Sequence, residues 1–168
     1  MSERKMIRKW IWAWEFEEEE LWLNQMAAAG WVLDKVGFCR YEFIRCEPDE
    51  YTVRLEMRDK DDAYIAFMEE TGAEYIGRMM KWIYFRKKAA DGTFDIFSDM
   101  DSRMKHLEKI ILLIKGCTIL NLVVGVANSL NPVHIGWLNL LVATLLAYGW
   151  GRLKGKQEAL KKDRMLQE

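Results

Sequence analysis

Histidine, cysteine and proline are scarce in this chain of 168 residues, which has only two, three and two of them. The two histidines, His106 and His134, lie at opposite ends of an apolar stretch and its loop, so they cannot share a metal or build a triad with a cysteine. The cysteines are odd in number and form no C-x-x-C pair, which argues against a disulfide framework and is typical of a reducing compartment. Neither a G-x-G-x-x-G loop nor a Walker sequence occurs. The sequence therefore predicts no enzyme, no metal site and no cofactor.

An excess of charge of one sign is also missing. The 25 Lys and Arg residues nearly balance the 26 Asp and Glu residues, and the formal net charge is −1. This balance gives no general reason to expect nucleic acid as a partner. Hydrophobic residues (51%) and charged residues (30%) are both abundant, which predicts that they are segregated along the chain. The N-terminal MSERKMIRKW is basic but lacks the apolar run of a signal peptide.

Two long apolar runs lie in the last third of the chain. Residues 110–130 read IILLIKGCTILNLVVGVANSL with one charge, Lys115, and residues 133–150 read VHIGWLNLLVATLLAYGW without Asp, Glu, Lys or Arg. Each is about the length that crosses a bilayer core of roughly 30 Å at about 1.5 Å per residue. Asn131-Pro132 is a turn signal between them. Since so small a protein could hardly bury two such helices on all sides, the sequence predicts a two-helix transmembrane hairpin at about 110–130 and 133–150.

Basic residues flank this predicted hairpin on one side only. They are Arg103, Lys105 and Lys109 before the first run, and Arg152, Lys154, Lys156, Lys161, Lys162 and Arg164 after the second. The connection 129–136 has no Lys or Arg. The positive-inside rule predicts a multi-pass protein of the inner (cytoplasmic) membrane, with both termini and a basic tail, 151–168, in the cytoplasm. The lipid bilayer is then its first partner.

Small and amide side chains recur every four residues in both runs. Among them are Asn121 and Gly125 in the first run and Asn139 and Ala143 in the second. Small residues let two helices approach closely, and an asparagine can form a hydrogen bond to the other helix. We expect these four residues to pack the hairpin, or a dimer of hairpins. In an alternative reading the two asparagines line a polar path for an ion.

Residues 1–92 alternate between strand and helix patterns in the order β-α-β-β-β-α-β-β. Predicted strands cover 9–14, 31–36, 38–45, 51–57, 74–79 and 82–86, and predicted helices cover 15–29 and 61–71. Gly30 and Gly72 follow the two helices as stop signals. The order contains the split β-α-β pattern and predicts an α+β cytoplasmic domain of ferredoxin-like fold. The S-x-x-D form at Ser98 predicts the cap of an amphipathic connector helix within residues 93–109.

The stretch KWIWAWEFEEEELW places three tryptophans on alternate positions, Trp10, Trp12 and Trp14. Alternate residues of a strand share one face. Trp82 and Tyr84 form a second aromatic pair on another predicted strand. These five aromatics are either core beneath the helices or an open surface that binds a ligand or a partner.

Four glutamates, residues 17–20, follow Trp14 after Glu15 and Phe16. Acidic residues in the first turns of a helix suit the positive end of its macrodipole. We expect the block to be a solvated helix face, and a surface that meets a basic partner is the alternative.

Four sequence strings resemble an uncharacterised bacterial family of small membrane proteins, catalogued as a domain of unknown function. They are WAWEFEEEELWLNQMAAAGW (12–31), VGFCRYEF (36–43), EETGAEYIGRMMKWIYFRKKAADG (69–92) and FDIFSDMDSRMKHL (94–107). Members resemble this chain in having a soluble domain followed by hydrophobic spans. Their genes often lie beside those of PadR-type transcriptional regulators, which respond to membrane or toxic stress. The resemblance implies a membrane-bound accessory or sensor role and supplies no catalytic residues.

Together these patterns predict a non-enzymatic, membrane-anchored sensor or interaction protein with an accessory regulatory role. Its cytoplasmic domain would bind a partner protein or a small ligand through the five aromatics, or the chain would associate with itself. The alternative is an oligomeric small transporter or permeability-modulating protein that is gated by its soluble domain. In that case Asn121, Asn139 and Lys115 would govern flux.

Overall fold

The computed structural model describes residues 3–97, 100–130 and 135–167, with side chains to residue 165. The chain divides into two compact units, Met1–Ser98 and Asp99–Glu168. The first unit mixes strands and helices and the second consists of two long helices, so the predicted α+β class is confirmed. The expected Asn-Pro turn, His134, the start of the second predicted span and the Ser98 cap lie outside the described residues.

The first unit consists of two β-α-β-β repeats. The first repeat contains β1 (Arg4–Arg8), α1 (Phe16–Ala28), β2 (Trp31–Gly37) and β3 (Arg40–Arg45), and the second contains β4 (Tyr51–Met57), α2 (Asp62–Glu70), β5 (Ala73–Met79) and β6 (Trp82–Lys88). Each repeat forms its own antiparallel three-stranded sheet, with orders β1-β3-β2 and β4-β6-β5. In both sheets the third strand lies between the two strands that the helix connects. The ferredoxin-like arrangement is not confirmed, because the strands form two sheets.

The predicted strand at 9–14 is wrong. The strand is Arg4–Arg8, which pairs with β3, and the pairing ends where the Lys9 N–H donates to the Cys39 carbonyl. The Trp12 N–H then donates to the Glu15 carboxylate, and Ala13–Glu15 forms a turn of 3-10 helix that leads into α1. The true strand was missed because it is an exposed edge strand with charged side chains, so it has no apolar alternation.

The two repeats share their backbone irregularities. Each helix ends at a glycine with positive φ, Gly30 at 82° and Gly72 at 86°, a conformation that a side chain would strain. Each following strand carries a bulge at the same place, between Leu33 and Lys35 in β2 and between Tyr75 and Gly77 in β5. The matching positions of the glycines and the bulges indicate that the two repeats have the same β-α-β-β structure.

Strand β6 is buried on both faces, and its side chains alternate between two cores. On one face Ile83 and Phe85 join the cluster beneath α2. On the other face Trp82 stacks on Phe16 at the start of α1, with ring centroids 5.5 Å apart, and Tyr84 is also buried. The central strand of the second sheet therefore supports the helices of both repeats.

Helix α1 also covers the outer edge of β4. The Asn24 side chain accepts from the Val53 N–H and donates to the Val53 carbonyl, both at 2.9 Å. The Leu55 N–H donates to the Glu20 carboxylate at 3.2 Å. These side chains satisfy backbone groups that an edge strand would otherwise present to another chain.

The second unit is an antiparallel pair of helices, α3 (Met100–Ser129) and α4 (Gly136–Gln167). Contacts between the helices recur every seven residues, as in a coiled coil. Asp101 pairs with Arg164 at 2.7 Å, the Gln157 amide donates to Glu108 at 3.2 Å, and the Lys115 ammonium lies 5.7 Å from the Trp150 ring centroid. The predicted basic tail therefore forms the C-terminal part of α4.

One of the described helices, α3, is long and apolar enough to cross a membrane by length and composition, and most of its apolar window is exposed. This is weak support for membrane association. The helix α4 does not reach the same threshold of apolarity. The predicted pair of transmembrane helices, and with it the multi-pass topology, is therefore not confirmed.

Candidate functional site

The alternating tryptophans form a continuous series of rings in place of one strand face. Phe38, in the turn between β2 and β3, meets Trp10 edge-on with centroids 5.8 Å apart. Trp10 meets Trp12 edge-on at 5.1 Å, and Trp12 stacks on Trp14 at 4.9 Å. The series therefore runs along the segment between β1 and α1.

Burial divides the five predicted surface aromatics into two groups. Trp14 is only 2% exposed, and Trp82 and Tyr84 are buried as well. Trp10 is 56% exposed and Trp12 is partly exposed. Trp14, Trp82 and Tyr84 are therefore core residues, whereas Trp10 and Trp12 lie closer to the surface. Phe38, which sequence reasoning missed, is 70% exposed at the outer end.

Cations surround the outer end of the ring series. Arg8 and Arg40 are cross-strand partners in β1 and β3, and both are exposed. Lys9 holds its ammonium 4.1 Å from the centroid of the Trp22 ring. We call the set Arg8, Lys9, Trp10, Phe38 and Arg40 the aromatic-basic tip. Its chemistry combines flat apolar rings with exposed positive charge.

A buried carboxylate lies behind the inner rings. Glu19 of α1 is 5% exposed, and its Oε1 accepts hydrogen bonds from the Tyr41 hydroxyl at 2.8 Å and the Tyr84 hydroxyl at 2.7 Å. Tyr41 belongs to the first sheet and Tyr84 to the second, so one carboxylate oxygen joins the two repeats. The predicted solvated face of the acid block therefore excludes Glu19.

Burial dominates the acid–base behaviour of this group. Desolvation raises the pKa of Glu19 above its ordinary value, although the hydrogen bonds from Tyr84 and Tyr41 and the nearby Lys9 charge oppose the rise. Burial and the adjacent carboxylate also raise the pKa of both Tyr41 and Tyr84, so the phenols stay protonated and act as donors.

Helical spacing could have identified Glu19 from the sequence. It shares the buried face of α1 with Phe16, Leu23 and Ala27, at intervals of three and four residues. The uniform acid block concealed that pattern. The Glu19 oxygen is an acceptor that already has two phenol donors. Within the described ranges no three His, Cys, Asp or Glu residues are grouped to hold a metal.

The four residues predicted to pack the hairpin lie on facing sides of α3 and α4. The Asn139 amide donates to the Asn121 carbonyl at 3.3 Å. Gly125 and Ala143 are buried, and a Cβ added to Gly125 would lie 2.8 Å from the Leu140 Cδ2. The close approach of the helices thus requires glycine at this position.

The protein family described as Protein of unknown function (DUF2812) matches residues 15–119, more than half of the chain. The match begins just after Trp14 and ends within α3. It agrees with the resemblance to a domain of unknown function that the sequence strings indicated. Searches of the curated proteins and of the solved structures find no match to this chain.

Proposed function

The chain belongs to the DUF2812 family, whose function is unknown, and we propose that it is a membrane-anchored interaction protein of the sensor type, without enzymatic activity. Its helical pair inserts into the cytoplasmic membrane as a two-span hairpin with both termini in the cytoplasm. Its α+β unit binds a partner protein or a small ligand there.

The outward-facing surface of the helical pair carries this proposal. Large apolar side chains are exposed along both helices between residues 112 and 148. They are Leu112, Leu113, Ile119, Leu120, Leu122, Val123, Val124, Val126, Leu130, Ile135, Trp137, Leu138, Leu141, Val142, Leu145 and Tyr148. Monomeric soluble proteins rarely expose so extensive an apolar surface. Hydrocarbon is the solvent in which such side chains are most stable.

The remaining half of the pair is charged, which supports the orientation. Nine Lys and Arg residues lie in 103–109 and 152–164, on the side of the apolar band that leads to both termini. The positive-inside rule places that side in the cytoplasm. Lys115 lies inside the band, near enough to its charged end for the aliphatic stem to carry the ammonium to the headgroups.

The binding function rests on the exposed end of the ring series. Trp10, Trp12 and Phe38 present aromatic surface of the kind that dominates binding energies at interfaces. We propose an accessory regulatory role beside a PadR-type regulator because the resemblance of the sequence strings implies it.

The contacts of the asparagines do not favour a transport function. The Asn121 amide donates to the Cys117 carbonyl, the Asn139 amide donates to Asn121, and the Asn128 amide lies 3.5 Å from the Asn139 oxygen. These amides bond within the helical pair, as side chains that pack two helices do.

Charge substitution in the apolar band tests the proposal. Leu120 and Leu141 are both exposed, so replacing both with Lys would be harmless or beneficial in water. In a bilayer each change should oppose insertion by about 2.5–3.5 kcal/mol. We expect Leu120→Lys with Leu141→Lys to move the chain from the carbonate-resistant membrane fraction to the soluble or aggregated fraction.

Ala159→Glu is the matched control, because Ala159 is exposed on the charged half of α4. This variant should remain in the membrane fraction. A wild-type chain that carbonate extracts, or a double lysine variant that stays in the carbonate-resistant membrane fraction, would refute the membrane anchor.

A further inference from the structure

We propose that the aromatic-basic tip docks onto the anionic lipid surface of the membrane, with phospholipid headgroups as its ligand. The proposal rests on the proposed function, since it names the ligand of the binding surface described there. It follows from two features of the tip, a pair of arginines opposed across the strands and protruding aromatic rings, and from comparison with a second hairpin tip that has neither.

Two like charges face each other across the strands of the tip. Arg8 and Arg40 are directly opposed in the β1–β3 register, an arrangement that destabilises a sheet. Arg40 pairs with Glu42 at 2.6 Å, whereas the Arg8 guanidinium makes no ion pair in the described part of the chain. Lys9 adds a third exposed cation beside them. An external anion between these groups would relieve the repulsion.

The aromatic residues of the tip protrude. Phe38 occupies a two-residue turn between β2 and β3 and is 70% exposed, and Trp10 packs edge-on against it. A protruding ring needs a deformable or concave receptor. The interfacial zone of a bilayer accepts indole and phenyl rings without a matching shape, and it is the zone in which Trp is enriched.

The second repeat provides an internal comparison. Its turn between β5 and β6 exposes Met80 by 73%, but the cross-strand pair beside it is Met57 with Trp82 in place of two arginines. Lys81 in the same turn is paired with Asp59 at 3.3 Å. Both turns expose a large apolar side chain, and an exposed cation, Arg78, lies near the second turn as well. Of the two turns, only the first combines an exposed aromatic ring with two arginines opposed across the strands.

A protein partner fits these features less well than lipid. Protein hot spots lie in well-packed, desolvated pockets near the centre of an interface. Here the apolar groups are at an apex and the cations are on its flanks. A bilayer has the matching arrangement, because its apolar interior lies beneath a surface layer of anionic phosphates.

Hydrogen exchange of the full-length protein in lipid nanodiscs tests the proposal. Discs of phosphatidylcholine are compared with discs of equal parts phosphatidylcholine and phosphatidylglycerol. We expect exchange at residues 9–12 and 37–40 to slow about fivefold or more in the anionic discs, since each basic residue near such a surface contributes about that factor. High salt should remove the protection.

Two variants separate docking from folding. Arg8→Gln with Phe38→Ser should abolish the lipid-dependent protection while the amides of α1 and β6 remain protected. Met80→Ser, which removes the exposed residue of the other turn, should leave the protection unchanged. Equal exchange at the tip in both kinds of disc would overturn the inference.

Other outcomes also decide between the proposals. If residues 110–130 are protected in the discs but the tip is not, the anchor stands and the lipid docking fails. If the chain does not enter discs, the anchor fails, and exchange of the free full-length chain with and without phosphatidylglycerol vesicles decides the docking alone. A purified protein that protects the tip and is not displaced by anionic lipid would also overturn the inference.

Discussion

The hydroxyl of Tyr84 donates a 2.7 Å hydrogen bond to Glu19, a residue 65 positions earlier in the chain. The bond joins the helix of the first β-α-β-β repeat to the central strand of the second sheet. Tyr41, in the first sheet, bonds to the same oxygen. The two repeats are therefore held together by a buried polar centre as well as by apolar packing, and such a centre is costly when only partly satisfied.

Replacing Glu19 separates its charge from its role as an acceptor. Glu19→Gln keeps an oxygen for both phenols and removes the buried charge, so we expect little loss of stability near neutral pH. Glu19→Ala leaves two buried donors without an acceptor and should cost about 2–4 kcal/mol. Chemical unfolding of the full chain in detergent, followed by tryptophan fluorescence, measures both. A Gln variant as unstable as the Ala variant would contradict this account.

The pH dependence of unfolding provides a second test of the same centre. Burial raises the pKa of Glu19 in the folded chain, so the folded state holds this proton more tightly than the unfolded state. The contribution to stability is therefore fully present below the ordinary pKa of 4.5 and is lost as the pH rises through the raised value. We expect the stability difference between Glu19→Gln and wild type to shift in favour of the variant over that range. A difference that does not change with pH would argue against a raised pKa.

Asn24 is one of two side chains of α1 that bond to the backbone of the β4 edge. Asn24→Ala should leave the Val53 N–H without its acceptor, whereas the Val53 carbonyl keeps the Arg54 guanidinium as a donor. We expect the change to destabilise the α+β unit by about 1–3 kcal/mol. Because an uncovered edge can pair with another chain, the variant should also aggregate on heating. Light scattering during thermal unfolding measures the aggregation. Gln25→Ala is a suitable control, since Gln25 is an exposed residue of the same helix.

Two glycines of α3 form a matched pair for the helical hairpin. A Cβ at Gly125 would lie 2.8 Å from Leu140 Cδ2 and 3.1 Å from its backbone nitrogen, whereas a Cβ at Gly116 would meet nothing within 4 Å. We expect Gly125→Ala to separate the helices and lower the midpoint of helix unfolding by several degrees. Gly116→Ala should leave it unchanged or raise it, since Ala favours a helix by about 1 kcal/mol. Circular dichroism in detergent distinguishes them, and equal effects would rule out close packing at Gly125.

Substitutions at the two ends of the ring series should have different effects on stability and on binding. Trp14→Ala removes a buried indole and should cost about 3–5 kcal/mol. Trp10→Ala changes an exposed residue and should alter stability by no more than about 0.5 kcal/mol, although we expect it to weaken binding. Unfolding curves and binding assays on the same preparations compare the two. A large loss of stability in Trp10→Ala would place the outer ring in the core.

Much of the α+β unit could be predicted from local patterns, because its helices and all but one of its strands have a clear apolar period. The ends of both helices could also be predicted, from Gly30 and Gly72. The first strand was not, since an edge strand with sequence RKMIR has no apolar face to signal it. Pattern alone also could not show that the strands divide into two sheets, because pairing depends on contacts between residues far apart in sequence.

The functional residues were less accessible to sequence reasoning. Alternation in WIWAW indicated one strand face, but the segment leaves the sheet and its rings pack against one another, which no periodicity encodes. Phe38 went unnoticed because an isolated aromatic in a turn has no pattern. The pairing of Arg8 with Arg40 became visible only from the register between strands.

Strand β6 lies between β4 and β5, yet it is the last of the six strands to leave the ribosome. The first sheet is complete in sequence once Arg45 has been made, whereas β4 and β5 have no strand between them until Trp82–Lys88 follows. Glu19 likewise lacks its second hydroxyl partner during that interval. A pause in translation between Met57 and Trp82 would prolong a nascent state in which strands are unpaired. If proteases cleared that state, the pause would limit how much of the protein the cell accumulates.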